Sequence, residues 1–149
     1  MATVAEMKRA CRILIVEDDE DDVFLLKQAF NQMRNEFDCD IECEHSPNGL
    51  EALFELSVKD LTEALPDALV LDLNMPRVDG IACLQAIRQS LLLRDLPVFV
   101  LTTTASRSIH EQAIAVGANK VYVKPNDAAH LAAIAREIAV SSCSRHSRP

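Results

Sequence analysis

The sequence predicts a doubly wound α/β domain, a parallel sheet covered by helices on both faces. Three observations lead there. Short apolar runs, Arg12–Val16, Ala68–Leu71 and Leu96–Leu101, have the length and the Val, Ile and Leu content of strands buried on both sides. Segments with apolar residues at three- and four-residue spacing alternate with them, the βα rhythm of a parallel sheet. Several strand candidates end on a polar residue (Glu17, Asp72, Thr102, Lys124), and the carboxyl ends of such strands are where open α/β sheets place ligands.

In chain order, residues 1–11 read as a loosely held arm, 12–142 as the domain and 143–149 as a flexible tail. Strand 1, Arg12–Val16, runs into six consecutive acids, Glu17 to Asp22. Glu20–Asp22 suit a helix start, where the dipole favours anions; Glu17 and Asp18, at a strand tip, call for water or a cation. Helix 1 carries Val23, Leu26, Phe30 and Met33 on one face. Asp40–His45 alternates like a half-buried edge strand. After the turn Pro47–Gly49, helix 2 carries Leu50, Leu53, Phe54 and Leu56, and Val58–Leu65 extends it into a long connection.

Strand 3, Ala68–Leu71, ends at Asp72, followed by Asn74 and the turn residues Pro76, Asp79 and Gly80. From this segment alone, Asp72 reads equally as a turn cap and as part of a site. Helix 3 is expected over Ile81–Ser90, strand 4 ends in Thr102–Thr104, and helix 4 covers Ser106–Val116 with Gly117 as its stop. Strand 5, Lys120–Val123, closes on Lys124-Pro125. Asn126 or Asp127 caps helix 5, which carries Leu131, Ile134, Ile138 and many alanines; from Ser141 the chain is expected to fray.

Composition excludes several classes. A net charge of −8 opposes nucleic-acid binding. No apolar run approaches the roughly 18 residues of a membrane helix, and no signal-peptide core is present, so a cytoplasmic location is expected. The five cysteines form no C-x-x-C pair and read as reduced packing thiols. His45, His110, His130 and His146 lack ligand spacing.

In a doubly wound sheet Glu17, Asp18, Asp72, Thr102 and Lys124 gather in one crevice. Converging carboxylates suit Mg²⁺, and a carboxylate is also a nucleophile for phosphoryl transfer. The ordered set RILIVEDD, LVLDLNMPRVDG, VLTT and YVKP, spanning nearly the whole chain, resembles the receiver domain of two-component response regulators.

That resemblance implies a flavodoxin-like sheet of order 2-1-3-4-5 with five helices. It implies Asp72 as phosphoacceptor, Thr102 and Lys124 as partners of the phosphoryl oxygens, and Mg²⁺ or Mn²⁺ held by Glu17, Asp18, Asp72 and the Asn74 backbone carbonyl. It implies a cis Lys124-Pro125 bond. The expected role is a stand-alone phosphoacceptor switch rather than a turnover enzyme, with Mg-dependent self-phosphorylation and self-dephosphorylation. A sensor histidine kinase, of phytochrome type, or a phosphotransfer protein is the expected donor. The expected output is protein contacts through a homodimer formed by helix 4, strand 5 and helix 5, with neither nucleic acid nor membrane engaged.

Three positions depart from the family pattern. Val121 stands where a switch aromatic is usual, with Tyr122 one place later and facing the other way; Thr103 is larger than usual; Asn126 replaces a common aromatic. A pseudo-receiver, acting as a constitutive interaction module, is the alternative that Val121 keeps open. A flavodoxin-like cofactor binder would need a phosphate cradle after strand 1, where VEDDEDD repels phosphate.

Overall fold

The computed structural model describes residues 9–37, 39–61, 65–75 and 79–143. Five parallel strands, β1 (Arg9–Val16), β2 (Cys39–Ser46), β3 (Ala68–Leu71), β4 (Val98–Thr102) and β5 (Lys120–Val123), form one sheet of order β2-β1-β3-β4-β5. Five α-helices alternate with them: α1 (Glu20–Asn31), α2 (Gly49–Leu61), α3 (Gly80–Gln89), α4 (Arg107–Val116) and α5 (Ala128–Cys143). A single 3₁₀ turn, Arg34–Glu36, follows α1.

Period-two alternation along the strands sorts the core into two layers. Ile13, Ile15, Val70, Phe99 and Leu101 pack with Leu26, Phe30 and Ile138 from α1 and α5. Leu14, Val16, Leu69, Leu71, Val98 and Val100 pack with Leu56, Leu84, Ile87 and Ala113 from α2, α3 and α4. Register aligns the strand ends: Val16 pairs with Ser46 and Leu71, and Thr102 with Val123. Everything that follows a strand therefore emerges on one edge of the sheet.

Two close approaches shape that edge and the opposite one. A Cβ at Gly80 would lie 2.5 Å from the Asp72 carbonyl oxygen, so only glycine lets α3 start this close to the end of β3. Arg88, at the end of α3, donates to the carbonyls of Gly117 (2.9 Å), Leu96 (2.6 Å) and Arg94 (3.0 Å) and to Asn119 Oδ1 (3.1 Å). One guanidinium thus ties α3, the loop before β4 and the α4–β5 turn. Gly117, at φ 128°, takes the left-handed conformation anticipated for it.

Several expectations are corrected. Strand β1 starts at Arg9 rather than Arg12, because Arg9–Cys11 continue the ladder to Cys39–Ile41. Helix α5 does not fray at Ser141 but runs to Cys143, with Ser142 and Cys143 buried. The cysteines are not all thiols: Cys11 and Cys143, 132 residues apart, form a disulfide that fastens the end of α5 to β1, with the Cys39 sulfur beside it. The described residues contain no cis peptide bond, so Lys124-Pro125 is trans. Residues 62–64 of the expected extension of helix 2 and the arm before Arg9 lie outside the described residues, as do Pro76 and residues 144–149, and Leu65 is not helical.

Candidate functional site: an acidic crevice with one lysine

The crevice forms where β1, β3, β4 and β5 end. Glu17 follows β1 and is buried; its backbone N–H donates to the Ser46 carbonyl (3.1 Å) and its carbonyl meets His45 Nε2 (2.7 Å). Glu17 Oε1 accepts from the Asp19 N–H (3.1 Å), while Asp19 itself caps α1 by accepting from the N–H groups of Asp21 and Asp22. Capping of α1 thus falls to Asp19, while Glu17 and Asp18 are left to the crevice.

Asp72 sits one residue past β3 and is 5% exposed, too buried for a carboxylate whose only task is capping. Its Oδ1 accepts from the Asn74 N–H at 3.3 Å, so the turn orients the acid. Carboxylate oxygens of Glu17, Asp18 and Asp72 all lie within 4.8 Å of one another. Asn74 is exposed beside them.

Lys124 crosses this group. Its Nζ lies 2.6 Å from Glu17 Oε2, 2.8 Å from Asp22 Oδ2 and 3.8 Å from Asp72 Oδ2. Asp22 is the residue that sequence reasoning missed, assigning it only to the helix start; a first-turn position on α1 turns it back over the crevice. Thr102, fully buried at the end of β4, has its Oγ1 3.4 Å from the Thr104 N–H. Val121 is half-buried towards α4, whereas Tyr122 is buried in the layer under α1 and α5, so the two face opposite ways as expected.

Burial and like charge govern the titration. Burial pushes the Glu17 carboxyl up to about 7, against the hydrogen bond from Lys124. Asp72 is raised as well, chiefly by burial, which outweighs the nearby lysine. Burial pulls the Lys124 ammonium down, but its bonds to Asp22 and Glu17 and the charge of Asp72 more than offset this, so it stays protonated.

Four carboxylates thus face one cation, and the deficit of positive charge suits a divalent ion. Ligand oxygens around octahedral Mg²⁺ sit about 3–4 Å apart, so the oxygens of Glu17, Asp18 and Asp72 need close only slightly to share one. Hard oxygen donors without nitrogen or sulfur favour Mg²⁺ or Mn²⁺ over softer metals.

The comparisons agree with this geometry. Residues 13–136 match the family described as the response regulator receiver domain. Among curated proteins, the transcriptional regulatory protein PrrA of Mycobacterium leprae is 34% identical over 122 residues, covering 82% of this chain and 47% of PrrA. The probable chemotaxis protein CheY of Rhizobium etli is 30% identical over 114 residues, covering 76% of this chain and 81% of CheY. The chain spans about half the length of the PrrA relatives it matches. Among solved structures, the phosphorylated cyanobacterial phytochrome response regulator RcpA superposes with a TM-score of 0.81 at 25% identity, covering 91% of this chain and 96% of RcpA. The Mn²⁺-bound form of response regulator Rcp1 gives 0.77 at 26%, covering 93% and 98%. Motif order, sheet order, crevice and matches converge on one conclusion: this chain belongs to the receiver-domain family of two-component response regulators.

Proposed function

We propose that the chain works as a phosphoacceptor switch in which Asp72 takes a phosphoryl group from a histidine kinase or phosphotransfer protein. The observation that carries this is the convergence of Glu17, Asp18 and Asp72 with Lys124 at the strand ends. An Asp72 carboxylate oxygen forms the new O–P bond as the donor's N–P bond breaks, and the electron pair returns to the imidazole nitrogen. Glu17, Asp18, Asp72 and the Asn74 carbonyl would hold Mg²⁺ or Mn²⁺, which supplies charge neutralisation at the phosphoryl oxygens.

This chain's own residues supply the rest. Asn74 N–H holds one Asp72 oxygen, leaving the other for attack. Lys124 leaves Glu17 and Asp22 to pair with the phosphoryl group, whose charge of about −1.5 to −2 exceeds that of any single carboxylate. Thr102 turns its hydroxyl from the Thr104 N–H towards the same oxygens. The site modifies itself and turns over no external substrate beyond its donor.

The phytochrome-related structures among its neighbours support a kinase of that type as donor. The acidic charge supports protein rather than nucleic-acid output, and no described helix is long and apolar enough to cross a membrane; the cytoplasm is the proposed location. A homodimer through α4, β5 and α5 is the proposed output, supported by the half-exposed Ile114 and Val140 there. Ile114 is the probe of that face, whereas Ala132 of α5 lines a groove with Ala29 of α1 and with Met33, which follows that helix.

Incubation with acetyl phosphate and Mg²⁺, followed by intact-mass measurement, tests the assignment. One phosphoryl group is expected on the wild type and none on Asp72→Asn. An unlabelled wild type, under conditions that label a control receiver, would favour the pseudo-receiver.

A further inference from the structure

Helix α2 is apolar on two faces, and the core formed by the described residues takes one. Ala52 and Leu56 are fully buried against the sheet layer. On the outer side Leu50, Phe54, Val58 and Leu61 are 48%, 70%, 45% and 86% exposed. A surface helix ordinarily turns charge outwards, so an outer apolar stripe marks a covered face. Leu50, Phe54, Ser57 and Leu61 follow each other at intervals of four, three and four, the spacing of a seam that receives another helix. The exposed Ser57 folds its hydroxyl back onto the Phe54 carbonyl at 2.7 Å, which leaves a small side chain with a satisfied hydroxyl in mid-seam.

The stripe is also its own complement. In an antiparallel pair centred between Glu55 and Leu56, Leu50 meets Leu61 of the second copy and Phe54 meets Ser57, with Val58 along one flank of the seam. Large therefore faces small in the middle and leucine faces leucine at both ends, as an isologous two-fold interface requires. Each copy contributes a patch of roughly 400 Å², and two such patches with their flanks remove on the order of 1,000 Å² from water, near the lower bound of a specific interface. We propose that α2 pairs antiparallel with α2 of a second copy of this chain. This contact is separate from the α4–β5–α5 face and from the crevice, so it does not depend on the state of Asp72.

The register makes a charge-swap test decisive. Leu50→Glu lies at the helix start and Leu61→Lys at its end, where the dipole favours each charge, so folding is spared. All chains carry Ile114→Glu to silence the other face, and sedimentation equilibrium reads the dimer constant. Either single substitution should weaken association at least tenfold, by placing a charge against leucine. The double variant should recover to within about threefold of the parent, because each glutamate then faces a lysine across the pair. Association of the parent should tighten with salt, as both copies are acidic. A parent monomeric at several hundred micromolar, or unmoved by both single substitutions, overturns the proposal. Failure of the double variant to recover overturns the antiparallel register, since in a parallel pair like would face like.

Discussion

Lys124 Nζ is 2.6 Å from Glu17 and 3.8 Å from Asp72, so the lysine rests on the proposed metal-binding acid rather than on the proposed phosphoacceptor. Asp22 holds it there at 2.8 Å. A cation that claims Glu17 competes with Lys124 for the same oxygens and frees the lysine for the phosphoryl group. On the proposed assignment, metal loading would favour release of the lysine, against the hold of Asp22.

Metal binding should be visible as stability. At a Mg²⁺ concentration tenfold above its dissociation constant, linkage adds about 1.4 kcal/mol. Asp18→Ala should abolish that gain and metal-dependent labelling, while the metal-free variant is at least as stable as the wild type because one repelling acid is gone. Urea melts with Mg²⁺ and with chelator check this; an undiminished Mg²⁺ gain in the variant refutes the ligand assignment.

The pH dependence has a defined sign. Glu17 ordinarily titrates near 4.5 and in the fold near 7, so between those values the folded chain binds more protons than the unfolded one. In chelator, its contribution to stability is complete below about 4.5 and is lost as pH rises through about 7. Asp72 is shifted in the same direction. Glu17→Gln should flatten this slope in denaturant titrations from pH 4.5 to 7.5; an unchanged slope places the titrating group elsewhere.

Arg88→Ala should cost about 2–4 kcal/mol, because it strands four acceptors in two segments at once. Arg88→Lys should restore less than half, since an ammonium cannot span the forked set of Gly117, Leu96 and Asn119. Chemical denaturation of both variants measures this, and a lysine variant equal to wild type would contradict it.

The Cys11–Cys143 link should appear as a joined peptide in non-reducing digests. Cys143→Ser should lower stability by about 2–4 kcal/mol, the usual effect of opening a long loop. Burial raises the Cys43 and Cys83 thiols to about 11, so both should alkylate slowly at pH 8 in the folded chain. Four or more labelled thiols without reductant would exclude the disulfide as the resting state, because only Cys39, Cys43 and Cys83 are free beside it.

Phosphorylation should tighten the α4–β5–α5 contact only modestly, by the low end of the roughly 1–3 kcal/mol typical of coupled sites. Val121 fills less of the space beside α4 than an aromatic would, so movement at Thr102 has less to push against. Sedimentation of wild type and Ile114→Glu, each with and without a phosphoryl analogue, separates the cases. A tenfold or larger shift in the wild type would mean strong coupling despite Val121.

Much of this protein is decided along the chain. Strand and helix identities follow from periods of two and 3.6, and the buried runs ending on Glu17, Asp72, Thr102 and Lys124 announce a crevice once the strands are taken as parallel. Those are local properties: each depends on residues a few places apart. The tertiary structure decided what depends on distances between remote segments. Only packing brings Cys143 onto Cys11, extends β1 back to Arg9 along β2, and sets Arg88 between the loop before β4 and the α4–β5 turn. Only the tilt of α1 over the sheet turns Asp22 onto Lys124, and only the burial of Ala52 and Leu56 leaves Phe54 and Leu61 outside. Periodicity reports that a helix has an apolar face; when it has two, the sheet chooses which one is the core, because only one can reach it.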